Sequence, residues 1–531
     1  MNPKPKVLLI FPGNRMWGFT YPLGLIYVAN ALMKIGVEVK ILNLGNESIH
    51  QIKNEKYLFV GITMLTGKMI SIGLQAAKVI KENDSSTPVV LGGVHPSVMP
   101  EQSLENKYVD IVVVGEGEIT VQELAKRLIA GENLEGIQGV AFKDKSGKII
   151  MNPPRDFIDL NTLDFDLPYD LLGTKFYKSS TIPVHTSRGC PYRCTFCYST
   201  YFNRRKYRTK SAELVADEIE FLYKKYGFRN FNFDFEDEFF IDPVRVCRIF
   251  ELVMKKGLDI RWSSFCRFDT FARTYEKLGD EFPQLLKKSG LYFLGLGAES
   301  GSQRLLDEVI KKDITLPQIH KTVEILRNHK IPHRVTIITC FPTETKADIE
   351  DDFKLVDTIA KDNPYLFTTF LNLTPLPGTP IFDLLKKDYN FKPPASLEEW
   401  GDYPIPMDVK KMDWIPPAHA EFCRKLLKLS TGLFYRDLKS FKEYEENNYA
   451  TGMPYAPGRI SYILSKIERW RYKHRNFKLM IEVEVAGSIL GVFYNIRTYL
   501  VNFILKKYLS EAVFKSLKRR FGDKSWRSEK K

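Results

Sequence analysis

Apolar residues in the first part of the chain fall in short unbroken runs, and between the runs they recur with helical period. The runs are Lys6–Phe11, Val37–Leu42, Tyr57–Thr63, Pro88–Gly92 and Asp110–Gly115. The stretch Pro22–Met33 shows the helical pattern and Gly36 stops it. Runs of this length bounded by Gly and Pro predict buried strands. Their alternation with helices predicts a parallel, doubly wound α/β sheet over residues 1–140. Ligands of such sheets sit beyond the carboxyl ends of the strands. There the sequence has Thr63-Met-Leu-Thr-Gly67, Gly92-Gly-Val-His-Pro96 and Gly115-Glu-Gly-Glu118. Thr63, Gly92, Gly93, Gly115, Glu116 and Gly117 are therefore candidate ligand contacts, the glycines because they admit close backbone approach.

Turn-rich composition marks residues 141–180 as a linker, at whose start a small strand pair (Gly139–Phe142, Ile149–Met151) brackets Lys145-Ser-Gly147. Alternation resumes from 181 to 385. Strand patterns at Ile182–Ser187, Phe231–Phe235, Asp259–Ser264, Tyr292–Gly297, Arg334–Thr339 and Thr368–Leu373 are separated by helical stretches such as Ala212–Tyr226. Six such units predict a partial (β/α)6 barrel with its chemistry at the strands' carboxyl ends. Residues 386–531 read as a mainly helical region, with a helix near Ala418–Tyr435. In its tail, Val485–Leu505 is long and apolar but interrupted by Asn495, Arg497 and Asn502. A spanning helix would bury Arg497 at a cost of about 2.5–3.5 kcal/mol, so an interfacial helix or one packed on the barrel is expected.

Charge sharpens this division. The net charge of the 531 residues is +14, yet Ser461–Lys531 alone holds 17 Lys and Arg against 6 Asp and Glu, a surplus of 17 − 6 = 11. The body is near neutral, which argues against a nucleic-acid groove along the chain. The basic tail suggests contact with a membrane surface and a lipid or other apolar substrate; the plainer account is a solvated helical cap. Cys247, Cys266, Cys340 and Cys423 lack paired spacing, which points to a reducing compartment. The first apolar run is too short for a signal-peptide core, and a cytoplasmic location is the expectation.

The other three cysteines are grouped. Cys190, Cys194 and Cys197 fall in Ser187-Arg-Gly-Cys-Pro-Tyr-Arg-Cys-Thr-Phe-Cys-Tyr198 with spacing C-x3-C-x2-C. Thiolates this close wrap one soft metal centre: a zinc knuckle completed by His185, or an iron–sulfur cluster with one iron left open. The loop resembles that of the radical SAM superfamily, including the aromatic Phe196 before the last cysteine. The resemblance implies a 4Fe-4S cluster on the three cysteines, whose open iron chelates S-adenosylmethionine and cleaves it to a 5′-deoxyadenosyl radical. It further implies that Glu236, in Glu236-Asp-Glu238, lies near the methionine amino group and Arg267 near its carboxylate. Glu299 and Ser300, in Gly297-Ala-Glu-Ser-Gly301, would lie near the ribose. Phe341-Pro-Thr-Glu-Thr345 stands where the family usually carries a glycine-containing turn, here without its glycines. Thr374-Pro-Leu-Pro-Gly-Thr-Pro380 matches the family.

The first half likewise resembles the cobalamin-binding domain that precedes many radical SAM domains, through Pro22-Leu-Gly-Leu, Gly92-Gly-Val-His-Pro, Pro100-Glu-Gln and Val114-Gly-Glu-Gly-Glu-Ile-Thr120. Many such domains carry a cobalt-ligating histidine after the first strand; Pro12–Thr20 has none. Cobalamin bound without a histidine ligand is expected, with His95 the alternative ligand and a degenerate, cofactor-free domain the other alternative. The resemblance implies a cobalamin-dependent radical SAM methyltransferase acting on a small molecule or lipid, supplied with electrons by a flavodoxin or ferredoxin. A cyclase or carbon-skeleton oxidoreductase is the alternative among enzymes. A membrane-peripheral binding protein with degenerate cofactor domains is the alternative of another class.

Overall fold

The computed structural model describes residues 4–13, 22–45, 47–52, 55–173, 181–233, 239–430 and 474. The first unit is a sheet of seven strands: β1 (Lys6–Phe11), β2 (Glu38–Asn43), β3 (Phe59–Thr63), β4 (Val89–Gly92), β5 (Ile111–Val113), β6 (Val140–Lys143) and β7 (Ile149–Met151). Their order is β2-β1-β3-β4-β5-β6-β7, with β1 to β5 parallel. Val7, Leu8, Val60 and Val89 are fully buried, as strands covered by helices on both faces require. The helices Leu23–Lys34 and Glu118–Ala130 pack on each other.

One expectation changes here. The strand pair read at the start of the linker is part of the sheet: β6 adds antiparallel to β5, and β7 to β6. Burial of Val140, Ala141 and Phe142 explains it, because the apolar run closes the exposed edge of β5.

The second unit contains β8 (Ile182–Val184), β11 (Asn230–Phe233), β12 (Arg261–Cys266), β13 (Leu291–Glu299), β14 (His333–Thr339) and β15 (Leu366–Asn372). All six are parallel and lie in chain order, the partial (β/α)6 barrel expected. A two-stranded antiparallel ribbon, β9 (Ser187–Arg188) with β10 (Arg208–Thr209), brackets the cysteine loop. On β14 the alternation is visible: His333, Val335, Ile337 and Thr339 are buried, whereas Arg334, Thr336 and Ile338 are half-buried on the other face. Between sheet and helices, Phe250 stacks on Trp262 at 4.1 Å and Phe233 and Phe239 pack edge-on to the same indole.

Residues beyond the barrel stitch the two units together. The helix Leu397–Gly401 lies on the helix Lys68–Asn83, so close that a β-carbon on Gly401 would meet Ser71 Oγ at 2.5 Å. Trp400 donates its indole N–H to Gln102 (2.7 Å), and the Asn106 amide donates to Glu398 (2.6 Å). The helix Pro417–Ser430 then packs on β15. No helix among the described residues is long and apolar enough to cross a membrane. The tail stretch Val485–Leu505 lies outside the described residues.

Candidate active site

Gly189 opens the cysteine loop at φ +87°, and a β-carbon there would stand 2.0 Å from the Lys206 carbonyl oxygen. Only glycine turns the chain from β9 into the loop at that approach. Thr195 anchors the loop's centre: its N–H donates to Ile310 O (2.9 Å), its hydroxyl to Val309 O (2.7 Å), and its carbonyl accepts from Ile381 N–H (3.0 Å). Cys197 N–H donates to Cys194 O at 3.2 Å, closing a turn. All three cysteines are free of disulfides; Cys194 is buried and the other two half-buried. Burial and the neighbouring Cys194 push the Cys197 thiol up to about 11. The Phe196 ring meets Phe341 edge-on at 6.3 Å.

Two buried cations flank Cys194. Arg267 donates through Nη1 to its Sγ at 3.5 Å and through Nε to Asp269 (2.9 Å), and it stacks on Tyr192 at 3.4 Å. Its Nη2 donates to the Lys312 carbonyl. Lys312 in turn pairs with Glu299 at 2.7 Å. Glu299 itself sits at φ +66°, a left-handed conformation that costs about 1–3 kcal/mol in a residue other than glycine. Ser300 donates its hydroxyl to Asp352 (2.8 Å), whose carboxyl burial pushes well above the usual range. Soft thiols on one constrained loop, with cations beside them to offset thiolate charge, fit a thiolate-bound metal cluster. Glu236 lies outside the described residues.

At the first sheet, Thr63 ends β3, Gly92 ends β4 with Gly93 next after it, and Gly115, Glu116 and Gly117 follow β5. A β-carbon on Gly92 or Gly115 would meet nothing within 4 Å, so both border open space. One on Gly93, at φ +94°, would come within 2.8 Å of Thr63 Oγ1 and Met64 O. Gly117 lies against Val28, 3.2 Å from where its β-carbon would stand. This open backbone floor at the strand ends fits a broad, flat ligand such as a corrin. His95 lies in the short helix Val94–Val98, whose first turn tolerates Pro96. Thr66 Oγ1 is 2.9 Å from its Nδ1, and Nε2 is buried without a hydrogen-bond partner.

Glu116 has a role the sequence reading missed. It accepts from Arg188 (3.0 Å), from Arg208 (2.8 and 3.0 Å) and from the N–H of Ile158 (3.0 Å), while Glu118 holds the second Arg188 nitrogen at 2.5 Å. The glycine loop of the first sheet is thereby clamped to the ribbon that delivers Cys190. Burial opposes the charge on Glu116, but the two arginines outweigh it and hold the carboxyl below its ordinary range. Lys312, Asp269, Arg188 and Arg208 were also missed. Lys312, Arg188 and Arg208 reach their partners only through tertiary folding, whereas Asp269 pairs locally with Arg267 and Arg273; no motif marks any of the four.

Residues 184–356 match the family model of the radical SAM superfamily, and residues 15–125 match the B12 binding domain. An uncharacterized methyltransferase of Pyrococcus horikoshii is 32% identical over 395 residues, covering 71% of this chain and 82% of the relative. Cytidylyl-2-hydroxyethylphosphonate methyltransferase of Streptomyces wedmorensis is 26% identical over 383 residues, covering 61% and 70%. In fold, the chain is similar to the radical S-adenosylmethionine methyltransferase TsrM of Kitasatospora setae (TM-score 0.65, 19% identity, 91% and 100% covered). It is also similar to the cobalamin-dependent S-adenosylmethionine radical enzyme OxsB (TM-score 0.66, 18% identity, 98% and 84% covered). With a strand-end glycine floor, a three-cysteine barrel loop and these matches in that order along the sequence, the chain belongs to the radical SAM enzymes that carry a B12-binding domain.

Proposed function

We propose that this chain holds a 4Fe-4S cluster on Cys190, Cys194 and Cys197 and cobalamin over the glycine floor, and methylates an unactivated carbon of a small molecule. The observation that carries the reading is the clamp of Glu116 and Glu118 on Arg188 and Arg208, which fixes the two cofactor surfaces in one frame. When bound, the cluster and cobalamin supply one-electron cleavage of S-adenosylmethionine and a methyl carrier. The chain's residues orient and insulate. Arg267 and Lys312 offset the charge of the thiolates, and Phe196 and Phe341 close the loop's flank with apolar surface that excludes water. In this reading Glu236 receives the amino group of S-adenosylmethionine, Arg267 its carboxylate, and Glu299 and Ser300 the ribose. Thr63, Gly92, Gly93, Gly115 and Gly117 border the corrin, which carries no protein histidine.

An electron donor of flavodoxin or ferredoxin type completes the reaction. Methyl transfer, rather than cyclisation, is supported by the names of the Pyrococcus and Streptomyces relatives. The basic surplus of the tail supports peripheral membrane contact, which flotation with anionic liposomes tests by comparing the full chain with one ending at Gly458. The cofactor assignment is tested by metal analysis of the anaerobically reconstituted protein. Gly92→Phe fills the open floor and is expected to lose cobalamin while keeping iron. Cobalamin held at the wild-type level by that variant contradicts the assignment.

A further inference from the structure

A second group of metal-ligating side chains lies next to Phe341, whose ring meets Phe196 of the cysteine loop. Cys340 directly follows β14, and Glu344 ends the turn that leads into the helix Lys346–Ala360. His419 and Cys423 are four residues apart on the helix Pro417–Ser430 and so share one face of it. All four residues are buried. The ligand atoms of Glu344, His419 and Cys423 lie within 4.8 Å of one another: His419 Nε2 is 2.6 Å and Cys423 Sγ 3.8 Å from Glu344 Oε1. Cys340 stands beside this trio, its thiol 3.7 Å from the Thr339 hydroxyl.

The two thiols are held by long hydrogen bonds: Cys423 Sγ donates to Glu344 Oε1 at 3.8 Å, and Cys340 Sγ is 3.7 Å from the Thr339 hydroxyl. Glu344 already accepts the N–H of Cys340 (3.0 Å) and of Phe341 (3.4 Å) as well as His419, and a thiol is a weak donor. Cys340 moreover adopts φ +69°, where glycine would sit without strain, so the side chain is kept at a cost. Trp414 fixes the residue by donating its indole N–H to the Cys340 carbonyl at 2.8 Å.

We propose that Cys340, Glu344, His419 and Cys423 form a second metal site that holds one Zn2+ ion and pins the helix Pro417–Ser430 to the barrel. Two thiolates, an imidazole and a carboxylate are a four-ligand zinc set. On binding, both thiols lose their protons to solvent, and the Nε2 proton that His419 shares with Glu344 leaves to solvent or reappears on Nδ1, so that Nε2 faces the metal. The net charge of the loaded site is −1, the same as that of a Cys3His zinc site. The N–H groups of Cys340 and Phe341 stay on the carboxylate and offset part of it. No redox step is required.

The test is elemental analysis of the full chain purified anaerobically without chelator. The expected result is close to one zinc per chain, in the wild type and equally in the Cys190→Ala/Cys194→Ala/Cys197→Ala variant that has lost its iron. Cys423→Ser and His419→Gln are each expected to lower zinc by at least roughly tenfold. Zinc absent from the wild type overturns the proposal, as does zinc that disappears with the loop cysteines or persists in both single variants. Mass spectrometry that finds a Cys340–Cys423 disulfide in the anaerobic protein overturns it too. Should the single variants be insoluble, Co2+ loaded into the triple variant decides. Thiolate charge-transfer bands with tetrahedral d–d absorption support the site, and a weak octahedral spectrum overturns it. The zinc readout is independent of cobalamin and of the loop's iron, so it stands or falls separately from the proposed function.

Discussion

The cysteine loop was legible because its chemistry is local: three thiols and an aromatic within eight residues need no tertiary partner to be recognised. Arg267, which follows β12, was singled out by the family resemblance, and the structure sets it beside Cys194. Lys312 was not, since its approach to Cys194 depends on the turn after Leu305–Ile310 and on its bond to Glu299. The most exacting single atom is the missing β-carbon of Gly189. Gly189→Ala is expected to displace the loop and lower the iron bound after reconstitution several-fold, with the cobalamin content unchanged; full iron loading by the variant contradicts this. His95 allows a sharper test of the cobalt ligand. The electron paramagnetic resonance spectrum of the cob(II)alamin form should be the same in the wild type and in His95→Ala. A nitrogen splitting that vanishes in the variant would show His95 on cobalt.

Periodicity and glycine punctuation carry the elements well, but not the partners of their edges. A short apolar pair such as Val140–Phe142 with Ile149–Met151 reads as a hairpin anywhere, and only burial against β5 assigns it to the first sheet. The clamp was invisible for a related reason: Glu116 meets Arg188 and Arg208 across 72 and 92 residues of sequence. Removing one partner of a buried ion pair leaves the other charge unsatisfied, at about 3–5 kcal/mol. Glu116→Gln is therefore expected to lower stability by roughly 3 kcal/mol and to speed hydrogen exchange through Ser187–Tyr198. Unchanged melting and exchange would show that the ribbon is held by other contacts.

At the scale of the molecule, His95 and His333 are buried and His185 half-buried among the described residues, and all three are held uncharged. Burial depresses His95 to about 3, His185 to about 3 and His333 to about 4, from an ordinary value of 6.5. A histidine whose folded value is depressed contributes its full stability above 6.5 and loses it as pH falls towards the folded value. Each one weakens the fold by up to about 1.4 kcal/mol per pH unit in that window. The melting temperature is therefore expected to fall between pH 7 and about 5.5, and His333→Asn should flatten that slope by the share of one histidine. A melting temperature that is flat over the range contradicts the neutral, buried assignment. The order of domains and the barrel type were readable from the sequence. How the two units face each other was not, because the residues that fix it, Gly401 against Ser71 and Trp400 on Gln102, sit in a segment without motif.

In the proposed reaction, one loop of three cysteines, held against a cobalamin floor, turns S-adenosylmethionine over. This reaction is tested most directly by incubating the anaerobically reconstituted full chain with S-adenosylmethionine and a strong one-electron reductant, and quantifying 5′-deoxyadenosine and S-adenosylhomocysteine by mass spectrometry. The wild type is expected to form at least one of these products and the Cys190→Ala/Cys194→Ala/Cys197→Ala variant neither. An iron- and cobalt-replete wild type that leaves S-adenosylmethionine intact, or a triple variant that consumes it as fast, would contradict the proposed reaction.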